Sequence, residues 1–118
     1  AGHDTCYICR TDGARQMTLL PSLGPILGVF PDIVLEERQT YLNAGDTLLL
    51  YTDGLVNVRC PDHKPVNSHR WCMTLLQYPE HSAQALAQLV LDDTITGCEP
   101  TDDITLLLLK RMEGGAHA

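Results

Sequence analysis

Acidic residues at the ends of two apolar segments are the side chains in this sequence best suited to chemistry. Asp53 directly follows the apolar run 47–52. Asp102 and Asp103 lie just before a second apolar run, 104–109. Neighbouring antiparallel strands place the end of one strand beside the start of the other. If the two runs pair in this way, the carboxylates of Asp53 and Asp102 converge at one edge of a sheet.

Carboxylates that converge in this way favour a bound divalent cation. Two unit charges ~4 Å apart repel each other by about 4 kcal/mol at an effective dielectric of about 20, and a cation between them removes that cost. Mg²⁺ and Mn²⁺ prefer oxygen ligands and keep several waters. Gly54, next to Asp53, would leave room for the ion or its waters. The pattern suggests a metal site that includes Asp53, Gly54 and Asp102.

A purely structural interpretation of the same residues stays open at this point. An Asp-Gly pair after a strand commonly forms a turn, and a Thr-Asp pair before a strand commonly caps the local backbone. The residue types and their positions do not choose between a metal site and two local turns.

The elements that would position these residues follow from the pattern of apolar residues and turn formers. Residues 4–10 and 14–20 flank the turn signal at 11–13 and predict a hairpin of two antiparallel strands. Residues 21–32, with three prolines and two glycines, predict a loop. Residues 33–42 alternate well enough to predict a third strand, ahead of the two apolar runs, which are typical of strands buried on both faces.

Two helices are predicted between the apolar runs. Residues 69–78 suit a short helix, and residues 82–95 suit a longer one, with Ser82 as its N-cap and Gly97 as its stop signal. The element order β-β-β-β-α-α-β predicts an α+β fold with a mainly antiparallel sheet.

Four strings in the sequence occur together in a recognisable order. They are 1–3 (AGH), 24–28 (GPILG), 44–55 (AGDTLLLYTDGL) and 101–105 (TDDIT). This set resembles the SpoIIE/RsbU-type branch of the PP2C metal-dependent serine/threonine phosphatases, and the string GD…LLLYTDG is its most specific part. The resemblance extends over nearly the whole chain.

The resemblance implies an antiparallel β-sandwich with flanking helices and two Mn²⁺ or Mg²⁺ ions at one end of it. In this family the ions activate a water that attacks phosphoserine or phosphothreonine directly. By resemblance, Asp53 and Asp102 are catalytic residues and metal ligands, and Gly54 is the glycine of the family's Asp-Gly motif at the metal site. Asp103 and His3 are then expected beside the ligands rather than on the ions.

The resemblance also implies how much of the family domain is present. Residues 1–112 correspond to its C-terminal part, and 113–118 are expected to be a disordered tail. The family's other metal-bridging Asp-Gly motif would precede Ala1, so we expect a fold that is incomplete at its N-terminus. Asn57 stands near a position where many relatives carry an acidic residue.

Two functions of different class follow from the resemblance. The first is a metal-dependent protein phosphatase that acts on a phosphorylated signalling protein, such as an anti-sigma-factor antagonist, and that follows a sensor or receiver domain. The second is a degenerate, non-catalytic phosphatase-like domain that serves as an interaction module. An incomplete sandwich would leave one sheet face uncovered, and we expect such a chain to form a homodimer.

Composition and charge exclude several other classes of protein. The formal net charge is −7, with no cluster of Lys and Arg, which argues against binding to nucleic acid or to an anionic membrane. No apolar run reaches the ~18–20 residues that cross a bilayer. The first residues lack the basic region of a signal peptide. Together with the pattern of cysteines, which favours a reducing compartment, these features lead us to expect a cytoplasmic protein.

The sequence has five cysteines: Cys6, Cys9, Cys60, Cys72 and Cys98. Their odd number and irregular spacing predict reduced thiols rather than a disulfide framework. A zinc-stabilised binding module is a third alternative, with Cys60, His63, His69 and Cys72 as ligands. Cys6 and Cys9 are three positions apart on a predicted strand and point to opposite faces, which argues against a zinc ion shared by those two.

Overall fold

The computed structural model describes residues 6–11, 17–20, 27–34, 37–62, 66 and 68–112, which form an α+β fold as predicted. The elements in chain order are β1 (Cys6–Cys9), β2 (Met17–Leu20), β3 (Thr47–Tyr51), α1 (Asp53–Val56), α2 (Ser68–Gln77), α3 (Ala83–Ile95) and β4 (Leu106–Lys110). Three sequence predictions lie outside the described residues: the Asp12-Gly13 turn, the string with His3, and the tail 113–118.

The four strands form one sheet in the order β2-β1-β3-β4, and every neighbouring pair is antiparallel. The predicted pairing of the two apolar runs is therefore confirmed, with Tyr51 opposite Leu106 at one end and Thr47 opposite Lys110 at the other. The chain leaves β3 at the same sheet end at which it later enters β4. This pairing sets the position of the acidic residues.

One face of the sheet packs on α2 and α3 to form the core. Tyr7, Leu49 and Leu108 lie in register on this face, because Leu49 pairs with both of the others. Leu86 and Val90, on α3, are 1% and 0% exposed, so this helix turns its apolar side to the core. The hydrophobic effect of covering this sheet face is the main term that holds the helices in place.

The predicted helix boundaries are close to the observed ones. Ser82 is the N-cap of α3, where its hydroxyl accepts a hydrogen bond from the Ala85 N–H at 3.2 Å. The helix ends before Gly97, whose φ of +77° is a backbone conformation that favours glycine. Within the described ranges, none of the helices is long and apolar enough to cross a membrane.

The opposite face of the sheet decides between two expectations for β4. The continuous apolar run is typical of a strand buried on both faces, but Leu107 and Leu109 are 57% and 56% exposed, which agrees with the uncovered sheet face expected of an incomplete sandwich. Their neighbours Leu106 and Leu108 pack against the core cluster. The strand is therefore covered by described residues on one face only, and a continuous apolar run cannot reveal which of its faces is covered.

The predicted strand at 33–42 was wrong. Its described residues form no strand, and Val34 and Tyr41 are 89% and 70% exposed. Backbone carbonyls of the segment accept bonds from arginine side chains, Tyr41 O from Arg10 at 2.6 Å and Leu42 O from Arg111 at 2.6 Å. These bonds from arginine side chains take the place of the backbone hydrogen bonds to a neighbouring strand that the predicted strand would have formed.

The turn before β3 is held by a buried carboxylate. Asp46 is 1% exposed and accepts hydrogen bonds from the backbone N–H groups of Thr11 and Asn43, each at 3.0 Å. It also forms an ion pair with Arg10 at 3.0 Å. Burial alone would raise the pKa of Asp46, but the bonds from Thr11, Arg10 and Asn43 and the charge of Arg10 outweigh burial and lower this pKa.

The cysteines contradict the prediction of reduced thiols. Cys9 is bonded to Cys72, and Cys60 is bonded to Cys98. The partners are 63 and 38 residues apart in sequence, but their Cα atoms are 5.5 and 4.3 Å apart. Sequence spacing missed both pairs because only the packing of α2 on β1 and the pairing of two loops bring them together. The proposed zinc site also fails, since Cys60 and Cys72 belong to different disulfides.

Candidate functional site

Two chain segments meet at the sheet end where β3 stops and β4 begins. Thr52, the residue after β3, donates its N–H to the Thr105 carbonyl at 3.0 Å. The Thr52 hydroxyl also accepts the Thr105 N–H at 2.9 Å. These bonds extend the pairing of Tyr51 with Leu106 by one step. They fix the start of the segment with Asp53 against the end of the segment with Asp102.

Gly54 makes the closest approach between the two acidic motifs. A Cβ atom at this position would lie 2.0 Å from the carbonyl oxygen of Asp103 and 3.2 Å from that of Asp102. No side chain fits at such distances, so the backbones touch here because residue 54 is glycine. We expected Gly54 to leave room for an ion, and in the structure it leaves room for the backbone of the second motif.

The three acidic residues of the site are exposed at this sheet end. Asp53 is the first residue of the short helix α1, and Asp102 and Asp103 lie in the bend before β4. The Asp102 carboxylate accepts the N–H of Asp103 at 2.7 Å. This bond is local to the motif, in line with the structural interpretation of the Thr-Asp pair. The two motifs lie at the same sheet end, as the predicted strand pairing requires, while the convergence of their carboxylates and their roles as metal ligands stay predictions.

The packing behind the site explains why the end of β3 is rigid. Tyr51 is 6% exposed, and its ring lies edge-on to the ring of Trp71 with centroids 4.9 Å apart. Trp71 is itself 1% exposed and donates its indole N–H to Thr94 on α3 at 2.8 Å. Leu55, on α1, is fully buried. The residues on both sides of Asp53 are thus anchored in the core.

The donor set fits one part of a metal centre. Exposed carboxylates of Asp53 and Asp102 are the oxygen ligands that Mg²⁺ and Mn²⁺ prefer. Across the described ranges, however, no three His, Cys, Asp or Glu side chains lie close enough together to hold an ion. The two motifs would therefore supply some of the ligands and need others from elsewhere. His3, predicted beside them, lies outside the described residues.

Two threonines with a positioning role were missed by the sequence analysis. Thr52 bonds Thr105 as described above, and the Thr101 hydroxyl donates to the Asn57 carbonyl at 2.9 Å. Each threonine directly precedes one of the acidic motifs. That repeated Thr-Asp pair was the available signal, but its interpretation as a local cap gave no hint of a bond to the other segment.

The sequence and the fold are both similar to those of known proteins. The sequence matches the model of the family Stage II sporulation protein E (SpoIIE) over residues 1–112. It is 27% identical over 113 residues to Protein IcfG of Synechocystis sp.. That alignment covers 94% of this chain and 18% of IcfG.

Two solved structures of SpoIIE from Bacillus subtilis also match the fold. The chain has a TM-score of 0.59 and 25% identity to the PP2C phosphatase domain with a fragment of the regulatory domain, covering 91% of this chain and 31% of that one. Against the Mn-presoaked phosphatase domain the TM-score is 0.56 at 22% identity, with coverages of 99% and 50%. The chain thus spans half or less of the relatives that it matches.

Proposed function

We propose, since the chain belongs to the SpoIIE family of PP2C phosphatases, that it forms the C-terminal part of the metal centre of a protein serine/threonine phosphatase. The observation that carries the proposal is the contact of Gly54 with the backbone of Asp102 and Asp103. This contact joins the two motifs that the family pattern assigns to metal binding. The carboxylates of Asp53 and Asp102 are exposed, as a site for a phosphorylated substrate requires.

In this proposal Asp53 and Asp102 hold the ions, and Asp103 and His3 lie beside these ligands. Bound Mn²⁺ or Mg²⁺ would supply an activated water and offset the charge of the phosphate. The described residues around these ligands contribute by fixing the relative position of the two segments that carry them. Thr52 and Thr105 fix the spacing of the two segments, and Gly54 allows their close approach.

The substrate that we propose is a phosphoserine or phosphothreonine in a signalling protein, such as an anti-sigma-factor antagonist. The activity would be cytoplasmic and under the control of an upstream sensor or receiver domain, with neither nucleic acid nor membrane as a partner. The net charge of −7 supports the exclusion of both polyanions.

A non-catalytic interaction module is the second candidate, favoured by Asn57. This exposed residue ends α1, and its carbonyl is used to bind Thr101. The Asn57 side chain is uncharged, whereas an acidic residue near this position would offer a carboxylate to a metal ion. The two candidates differ in one measurement, since only the enzyme hydrolyses a phosphoserine peptide when Mn²⁺ is added.

The test of the enzyme is the effect of charge at the two motifs in the full-length protein. We expect Asp53→Asn and Asp102→Asn each to abolish Mn²⁺-dependent hydrolysis of a phosphoserine peptide, because an amide keeps the shape of the side chain but not its charge. A high Mn²⁺ concentration should restore part of the rate. The measurement is initial rate against Mn²⁺ concentration.

Asp103→Asn is the matched control for this test. This substitution removes the same charge one residue away from Asp102. Substitution of a residue that only supports a metal ligand typically lowers metal affinity or activity by about 10–100-fold. Equal loss in Asp103→Asn would show that Asp103 is the ligand in place of Asp102. Unchanged rates in both Asp53→Asn and Asp102→Asn would exclude the proposed mechanism.

A further inference from the structure

The Cys60–Cys98 disulfide lies at the far end of the two segments that carry the acidic site. Next to it, Arg59 and Glu99 exchange two backbone hydrogen bonds, each 2.8 Å long. The disulfide joins the next residue on each segment. It therefore continues a pairing that begins at the sheet, where Thr52 bonds Thr105.

Between these two ends few described hydrogen bonds join the segments, although Leu55 and Val58 are buried in the core. The Thr101 hydroxyl bonds the Asn57 carbonyl, and Gly54 touches the backbone of Asp103. Asn57 and Thr101 are exposed, so water competes for their hydrogen bond. The sheet fixes one end of the paired segments permanently. The covalent bond between Cys60 and Cys98 fixes the other end for as long as it is intact.

The two disulfides differ in their access to a reductant. Cys9 and Cys72 are 1% and 2% exposed and belong to the core. Cys60 and Cys98 are half-buried and line an open surface groove of about 610 Å³. Thiol–disulfide exchange requires that an attacking thiolate reach a sulfur atom, so a small dithiol can reduce the second bond while the first stays protected.

We propose that the Cys60–Cys98 disulfide is a redox-sensitive clasp on the acidic site. A dithiol reductant R(SH)₂ attacks one sulfur through its thiolate, forms a mixed disulfide, and then closes on itself. Cys60 and Cys98 leave as two thiols, and the reductant becomes its cyclic disulfide, so two electrons and two protons pass to the protein. Reduction loosens the exposed residues of the two segments, Asn57 and Arg59 against Glu99 and Thr101, while Leu55 and Val58 stay buried in the core. The consequence for metal binding rests on the proposed phosphatase function.

The proposed cytoplasmic location is consistent with such a switch. Disulfides that form in cytosolic proteins are usually transient and act in catalysis or redox sensing. The clasp would then be closed under oxidative conditions and open under reducing ones.

The experiment compares the oxidised and the mildly reduced full-length protein by two measurements. Alkylation and mass spectrometry report which cysteines are thiols, and amide hydrogen exchange reports the opening of residues 52–60 and 98–105. We expect Cys60 and Cys98 to become alkylated first, with about tenfold faster exchange in both segments. Mn²⁺ affinity should fall by about tenfold, as when the support of a metal ligand is lost.

Two variants make the assignment specific. Cys60→Ser should show the fast exchange without reductant and no further response to it. Cys6→Ser, which removes a cysteine that is in neither disulfide, should respond as the unmodified protein does. Because the unmodified protein is reduced directly, the test does not depend on the folding of either variant.

The outcomes separate this inference from the proposed function. Two outcomes would overturn the clasp. In the first, Cys60 and Cys98 are alkylated even after treatment with an oxidised dithiol, which means that they form no disulfide. In the second, amide hydrogen exchange stays unchanged after their disulfide is reduced. Changed exchange with unchanged Mn²⁺ affinity would overturn its link to the metal site. If exchange responds but the protein hydrolyses no phosphopeptide in either redox state, the clasp stands and the phosphatase proposal fails.

Discussion

Gly54 is the single residue on which the geometry of the acidic site depends most directly. Its missing side chain allows the Asp102 and Asp103 carbonyls to approach the start of α1. The sequence left two interpretations of the Asp-Gly pair open: a turn, or a metal ligand at Asp53 with room for the ion at Gly54. The structure assigns that space to the backbone, so the glycine links two motifs that are about 50 residues apart in the chain.

We predict that Gly54→Ala separates the two segments and weakens Mn²⁺ binding. The added Cβ would lie 2.0 Å from the Asp103 carbonyl oxygen, which is backbone and cannot rotate away. Gly28→Ala is the control, because a Cβ at Gly28 meets nothing within 4 Å and its cost comes from a φ of +87° alone. Isothermal titration with Mn²⁺ should show a loss for Gly54→Ala only. Equal affinity in the two variants would contradict this role.

A second prediction concerns Asp46. Its pKa is lower in the folded chain than the value of about 3.9 for an unfolded aspartate. The charged carboxylate therefore adds stability above about pH 4, and this stability is lost as pH falls through the folded pKa. Asp46→Asn removes that pH dependence and leaves Arg10 without its buried partner. We expect it to lower the free energy of unfolding at pH 7 by about 3–5 kcal/mol.

The measurement for Asp46 is urea unfolding between pH 3 and pH 7. Asp93→Asn is the matched control, since Asp93 forms a 3.0 Å ion pair with Arg70 on the surface. An exposed pair is worth at most about 1 kcal/mol. A parallel decline of stability with pH in the Asp46→Asn variant and the unmodified chain would refute the role of this carboxylate.

At the scale of elements, the junction of α2 with α3 holds the aromatic cluster behind the site. The Trp71 indole on α2 donates a part-buried hydrogen bond to the Thr94 hydroxyl on α3. The Thr94 hydroxyl in turn donates a hydrogen bond to the Val90 carbonyl at 2.8 Å. The Trp71 ring also lies edge-on to the rings of Tyr7 and Tyr51, so it packs against the last residue of β3.

We predict that Thr94→Val lowers the free energy of unfolding by about 1–3 kcal/mol, because it leaves the buried indole N–H without an acceptor. Valine keeps the volume of threonine, so packing is little changed. Thr74→Val is the control, since the Thr74 hydroxyl bonds only the carbonyl of its own helix at Arg70. Thermal unfolding followed by tryptophan fluorescence reports both. A smaller loss for Thr94→Val than for Thr74→Val would contradict the prediction.

At the scale of the whole molecule, one sheet face carries apolar side chains that the described residues do not cover. Leu107 and Leu109 are more than half exposed, and both lie on the face away from α2 and α3. Adjacent exposed leucines of this kind mark an interaction surface. The exposed face agrees with a chain that spans half or less of its structural relatives.

We predict that the isolated chain self-associates through this face, and that the double change Leu107→Ser and Leu109→Ser lowers its association. The polar side chains remove the apolar area that drives burial. Light scattering after gel filtration measures the mass of each form. Leu27→Ser is the control, since Leu27 is 61% exposed and lies outside the sheet. An unmodified chain that stays monomeric at high concentration would contradict the prediction.

The sequence by itself determined the fold class, the strands β3 and β4, both long helices and the two acidic motifs. These follow from local causes: apolar runs, the Ser82 cap, the Gly97 stop, and a family pattern whose strings are contiguous in the chain. The position of the two motifs at one sheet end was also predictable if the two apolar runs pair, because an antiparallel pair places the end of β3 beside the start of β4.

Only the tertiary structure decided the disulfides, the fate of residues 33–42 and which leucines of β4 lie on the uncovered face. Each depends on contacts between residues far apart in sequence: Cys60 with Cys98, Arg10 with Tyr41, and Leu107 with no described partner layer. Local patterns report what a residue prefers, such as an apolar environment or an extended backbone. They do not report which distant residue will supply that environment, because that choice is made by the packing of the whole chain.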